Sequence, residues 1–183
     1  FGLPASGQVR VRNNATGRTF LPVSEPVPVD LLLGSYLALQ DVAKRSDIEI
    51  LADYTQCPPE KEKLLAMAGD DPDSVELYRA DVMAKNVSLI DLLEDNPSCA
   101  LPFNVYLELV PILRPRYYSI SSSPAAADRR CSVTVGVVAG PARSGHGDYR
   151  GVASGYLAQA GEGEIVEGFV RPPSVPFVPP ADP

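Results

Sequence analysis

Apolar periodicity changes once along this chain, near residue 114. From residue 29 up to that point hydrophobic side chains recur every three or four residues. After it they alternate or run together with β-branched residues. The first pattern matches one buried face of a helix and the second matches strands, so the change constrains the architecture to helices followed by a β-region, an α+β arrangement. Leu31, Leu32, Tyr36 and Leu39 form a stripe with Asp30 as the expected cap. Ile48, Leu51, Ala52 and Thr55 form a second. Pro58-Pro59-Glu60 predicts a helix start, with Leu64, Leu65 and Met67 inside and Gly69 as the stop. Asp73 is the expected cap of a helix carrying Val75, Tyr78 and Val82. Ser88 and Asp91 make a capping-box variant before Leu92 and Leu93. Phe103, Leu107 and Val110 form the last stripe, ended by Pro111 and Pro115. All these stripes are expected to be core.

Strands are expected over residues 117–120, 132–138 and 164–170, with a short helix over 151–158. Val9 and Val11 alternate with Arg10 and Arg12, which predicts another short strand. Asn13-Asn14-Ala15-Thr16-Gly17 reads as a turn, followed by Pro22, Pro26 and Pro28. The chain holds 19 prolines in 183 residues, about twice the usual ~5%. They crowd the tail, residues 171–183, which predicts extended loop. No internal repeat is visible. The expected organisation is 1–28 as a strand and loop, 29–113 as a helical domain and 114–183 as the β-portion.

Composition removes several function classes. Sixteen lysines and arginines against 23 aspartates and glutamates give a net charge of −7, which argues against a broad grip on nucleic acid. No run of about 18 apolar residues occurs, so no spanning helix and no membrane partner are expected. The first residues, Phe1-Gly2-Leu3-Pro4-Ala5, lack the regions of a signal peptide. Cys57, Cys99 and Cys131 are three in number and far apart, so neither a disulfide framework nor a CxxC zinc site is expected. A reducing, cytoplasmic setting follows. His146 is the one histidine, which excludes multi-histidine metal sites, and no metal is expected. In its glycine-rich loop it reads as a surface residue rather than a catalyst.

Two segments carry chemistry. In Arg114-Pro115-Arg116-Tyr117-Tyr118-Ser119, strand alternation puts Arg116 and Tyr118 on one face and Tyr117 and Ser119 on the other. A guanidinium binds phosphate oxygens bidentately, and a tyrosine ring stacks on a flat heterocycle. The same spacing also serves a cross-strand arginine–carboxylate pair with tyrosines packed on the sheet. In Gly151-Val152-Ala153-Ser154, a glycine followed by small residues opens a helix whose free N–H groups suit an anion, with the Ser154 hydroxyl as a further donor. An ordinary loop-to-helix turn has the same look. Together the segments suit a flavin dinucleotide. No GxGxxG follows a strand, so a Rossmann nicotinamide site does not fit.

Arg116-Tyr117-Tyr118-Ser119 resembles the RxYS flavin motif of the ferredoxin–NADP reductase superfamily. Gly151-Val152-Ala153-Ser154 is similar to the pyrophosphate motif of its diflavin reductases. The runs PILRPRYYSISSSP, SVTVGVVAG and SGHGDYRGVASGYLA resemble the reductase half of self-sufficient fused cytochrome P-450 monooxygenases. YLALQD, QCPPEK and LIDLLEDNP are similar to the connecting domain of that branch, and the likeness covers essentially the full chain. It implies an all-helical connecting domain plus part of an antiparallel Greek-key flavin barrel ending before an NADP lobe. It implies FAD as cofactor. Arg116 would sit on the pyrophosphate, Tyr118 on the isoalloxazine and Ser119 near the flavin N5 edge as the catalytic residue, with Tyr117 in the same motif. Gly151, Val152, Ala153 and Ser154 would hold the pyrophosphate, and Gly136, Val137 and Val138 would line the adenosine side. It implies partners in the same polypeptide: an FMN-binding flavodoxin-like domain, a haem domain and the NADPH lobe. A stand-alone diflavin reductase or a non-catalytic interaction piece are the alternatives. Ala142 and Arg143 stand where relatives often carry an aromatic residue over the adenine. A barrel segment like YxxGDHL and the NADP-lobe loop are absent, which implies a middle piece of a longer protein, inactive alone toward NADPH.

Overall fold

A computed structural model describes residues 1–11, 25–123, 125 and 129–172. The turn expected at Asn13–Gly17, Pro22 and the tail beyond residue 172 lie outside the described residues. Strand β1 (Gln8–Val9) pairs antiparallel with β2 (Val27–Pro28). Then come α1 (Val29–Ser35), α2 (Arg45–Asp53), α3 (Pro58–Ala68), α4 (Pro72–Tyr78), α5 (Leu89–Asp95) and α6 (Phe103–Leu109). Helix α4 runs on into a π turn at Arg79–Met83. Strands β3 (Ala139–Pro141) and β4 (Asp148–Arg150) form an antiparallel hairpin, and α7 (Val152–Gln159) follows.

Local chemistry sets the helix ends. Helix α3 starts at Pro58, where a missing N–H costs nothing, and stops at Gly69, as expected. The capping box of α5 is complete. The Ser88 hydroxyl accepts from the Asp91 N–H at 3.2 Å and the Asp91 carboxylate accepts from the Ser88 N–H at 2.8 Å. Two caps differ from expectation. The cap of α4 is Asp71, not Asp73, and its carboxylate accepts from the Asp73 and Ser74 amides at 3.1 and 3.0 Å. Pro72 has the fixed φ of a first helical residue, so the cap must precede it. Hydrogen bonding from the Ser74 hydroxyl and amide lowers the Asp71 carboxyl below its usual pKa. Likewise α1 begins at Val29, and Asp30 sits inside its first turn, where the helix dipole favours an acid.

The apolar stripes converge on one core. Leu32, Ile48, Leu51, Leu64, Val82 and Tyr106 are fully buried. α2 packs on α3 and α3 on α4. Single β-bridges, Leu37 with Ile112, Val42 with Ser88 and Thr55 with Cys99, tie the segments between helices. Burial pushes the Tyr106 phenol up to about 12.

The β-region is sparser than the periodicity predicts. Of the runs 117–120, 132–138 and 164–170, only Ile120 and Val133 pair, through one bridge. A strand is held by a neighbour's N–H and C=O groups, and the other residues of these runs have no ladder partner among the described residues. The chain is α+β, with helices and small antiparallel sheets. A closed Greek-key barrel is not seen among the described residues. No helix of the described residues is long and apolar enough to cross a membrane.

Candidate functional site

The hairpin β3–β4 and the start of α7 form one hydrogen-bonded unit. The Gly151 N–H donates to the Val138 carbonyl at 2.8 Å, and the Val138 N–H donates to the Ser154 hydroxyl at 3.2 Å. Both backbone groups of Val138 are therefore used by the first turn of α7. Gly151 is needed for the close approach: a Cβ there would lie 2.6 Å from the Ser154 hydroxyl oxygen and 3.2 Å from the Val138 side chain. Ser154 is 5% exposed, and its hydroxyl works as a pin inside the turn rather than as a free donor.

The first intrahelical bond of α7 runs from the Gly155 N–H to the Gly151 carbonyl at 2.7 Å. The amides of Val152, Ala153 and Ser154 precede it and have no acceptor among the described residues. They gather at the positive end of the helix dipole, an arrangement that suits an anion.

The arginine–tyrosine segment is held differently. The Ser121 N–H donates to the Ser132 carbonyl and the Ser132 N–H to the Ser122 hydroxyl, both at 2.8 Å. These bonds and the Ile120–Val133 bridge anchor the segment just after Ser119. Arg116 is exposed, and its guanidinium makes no ion pair or hydrogen bond among the described residues. Tyr118 is half-buried and Ser119 exposed. Tyr117 meets Phe169 edge-on, with centroids 6.0 Å apart, and the Arg171 guanidinium lies 5.5 Å from its ring centre. Among the described residues no hydrogen bond, ion pair or ring contact joins 116–119 to 151–154. Gly136 and Val137 are exposed.

Val138 lines a cleft of about 490 Å³ between the hairpin and the helices. Gln40, Asp91, Arg143, His146 and Tyr149 also line it. The Gln40 side-chain amide donates to the Arg150 carbonyl at 3.0 Å and accepts from the Arg150 N–H at 3.4 Å, at the end of β4 that pairs with Ala139. The ring of His146, which lines the cleft, bonds Glu94 at 2.9 Å through Nδ1 and Asp95 at 3.1 Å through Nε2. Sequence reasoning missed both links. Gln40 and Arg150 are 110 residues apart, and the only available sign of the second was an acidic helix end in a chain with one histidine.

Residues 2–156 match the family model described as the FAD binding domain. The chain is 44% identical over all of its 183 residues to bifunctional cytochrome P450/NADPH–P450 reductase 2 of Bacillus subtilis (strain 168), covering 17% of that protein. It is 42% identical, with the same coverage, to reductase 1 of the same organism. Over 169 residues, 92% of the chain, it is 38% identical to a self-sufficient cytochrome P450 monooxygenase of Exserohilum turcicum (strain 28A), covering 15% of that protein. The chain thus spans about a sixth of the curated relatives it matches. A match that takes in the helices, the arginine–tyrosine segment and the bare amides of α7 places this chain in the FAD binding domain family.

Proposed function

We propose that the chain is the FAD-binding part of an NADPH–haemoprotein reductase that serves a haem monooxygenase fused in the same polypeptide. The carrying observation is the family match together with the bare amides of Val152, Ala153 and Ser154 at the tip of α7. These residues fit the cofactor: an anion site with three donors unspent, and an arginine without a partner, among the described residues suit a pyrophosphate. Arg116 and the α7 amides would hold the phosphates. The Tyr118 ring would pack on the isoalloxazine, and Ser119 would stand at its N5 edge. Gly136, Val137 and Val138 would border the adenosine. Ser154 contributes its amide, while its hydroxyl keeps Gly151 against Val138.

When bound, FAD supplies the exchange between two-electron and one-electron transfer that links NADPH to FMN and haem. The protein residues bind, orient and exclude water. In this reading residues 29–113 are the connecting domain that orients an FMN-binding flavodoxin-like domain, and 114–183 with 1–28 belong to a flavin barrel. The chain alone would not oxidise NADPH, and its setting is cytoplasmic. The names of the 44% and 42% identical relatives, both bifunctional P450 reductases, favour the fused form over a stand-alone diflavin reductase or a non-catalytic interaction piece.

Titrating the chain with FAD, followed by visible absorption and quenching of flavin fluorescence, tests this. Saturable binding near one flavin per chain is the expected result. Arg116→Ala should weaken binding roughly 10- to 100-fold, the scale of a lost hydrogen bond to a charged group, and Arg114→Ala should do much less. A chain that takes up no flavin refutes the reading, and equal effects of the two arginines refute the role of Arg116.

A further inference from the structure

The loop joining β3 to β4 is built to present one side chain. The Ala142 N–H donates to the Gly147 carbonyl at 3.0 Å and the Gly145 N–H to the Ala142 carbonyl at 3.1 Å. Gly145 and Gly147 have φ of +87° and +62°, a region that disfavours side chains, and His146 projects between them. Its ring meets the C-terminal end of α5, with Nδ1 2.9 Å from Glu94 and Nε2 3.1 Å from Asp95. Helix α5 has no basic residue in its last turn, so the negative end of its dipole and two carboxylates face the ring without another cation from that helix.

A neutral imidazole has one N–H and one lone pair. With a carboxylate at each ring nitrogen, one of them must then face that lone pair. Only the imidazolium donates to both. The base of the hairpin is tied by the Gln40 amide to the Arg150 backbone, and neither group titrates near neutral pH. The base is thus fixed while the tip depends on a proton.

We propose that His146, Glu94 and Asp95 form a proton-operated clasp that holds the hairpin tip over the cleft beside α5. Burial lowers the His146 pKa, but Asp95, Asp91 and Glu94 more than offset it, and the net direction is upward from 6.5. On the hairpin, Arg143 and Asp148 line the same cleft and make no bond to the ring among the described residues. A raised folded pKa means that the clasp contributes in full below pH 6.5 and is lost as pH rises through the raised value. Acidification closes the tip and alkalinisation frees it. The clasp does not depend on flavin binding.

The experiment uses the tag-free full chain without flavin, so its outcome is separate from the flavin titration. His146 is the only histidine, so its ring signals in an NMR titration need no assignment. They should report a pKa above 6.5 that falls toward 6.5 in Glu94→Gln/Asp95→Asn. Amide exchange over 142–147, corrected for intrinsic rates, should quicken by about threefold as pH passes the His146 pKa, in keeping with a half-exposed ion pair. His146→Gln should exchange fast at every pH, and His146→Lys should stay slow at every pH up to about 9. A His146 pKa at or below 6.5 overturns the clasp. So does exchange over 142–147 that is the same in His146→Gln and the unmodified chain at low pH.

Discussion

The helical region and the region after residue 114 bury their apolar residues very differently. From Val27 to Val110 the hydrophobic stripes close on one another, and among the described residues every member of the buried core lies there. From Tyr117 to Val170 most large apolar side chains are open: Tyr117 is 63% exposed, Ile165 90% and Phe169 65%, while Tyr118 and Leu157 are half-buried. Ser154 is the one buried side chain of that stretch among the described residues, and it is polar. Helices close their hydrogen bonds internally and need only a neighbour's face. Strands need a partner's backbone, often from far along the chain. The difference teaches that the first region is held by its own side chains. The second holds its shape through a few backbone bonds and leaves its surface free to meet a ligand.

The largest effect should come from cutting into the packed region. Leu51 is fully buried, so Leu51→Ala should cost about 2–5 kcal/mol through lost transfer energy and a residual cavity. Ile165→Ala should stay within about 0.5 kcal/mol, as surface changes do. Chemical denaturation of both variants measures this, and equal losses would erase the distinction between the regions.

A ligand should act in the opposite sense. FAD at about 100 times its dissociation constant stabilises whatever it binds by about 2.7 kcal/mol. Hydrogen exchange should slow at 116–119 and 151–154, while the amides around Leu51 change little. Slowing confined to the helices would place the flavin elsewhere.

Legibility in the sequence followed the same divide. Ser88 and Asp91 are three residues apart, so a capping box can be recognised without knowing the fold. Pro58 and Gly69 mark the ends of α3 for the same reason. Asp73 was the wrong acid only because Pro72 shifts the cap back to Asp71. The runs 132–138 and 164–170 have strand composition, but composition carries no partner, and only Val133 finds one. In the candidate site the Gly151–Ser154 turn is local and was legible. The links of His146 to Asp95, 51 residues away, and of Gln40 to Arg150 were not, because no periodicity encodes them.

The smallest expected effect compares two serines that do the same job. The Ser88 hydroxyl accepts the Asp91 N–H at 3.2 Å, and the Ser154 hydroxyl accepts the Val138 N–H at 3.2 Å. Both serines are 5% exposed. Ser88→Ala strands an amide at the start of a helix packed into the core, so its cost of about 1 kcal/mol should appear in global unfolding, as a fall in Tm of about 2–4 °C. Ser154→Ala strands the Val138 amide where few buried apolar contacts couple the backbone to the core. Its cost should appear as faster exchange at Val138 and the first turn of α7 with Tm nearly unchanged. If Ser154→Ala lowers Tm as much as Ser88→Ala does, the two regions unfold as one unit, and the second is held by more than its backbone bonds.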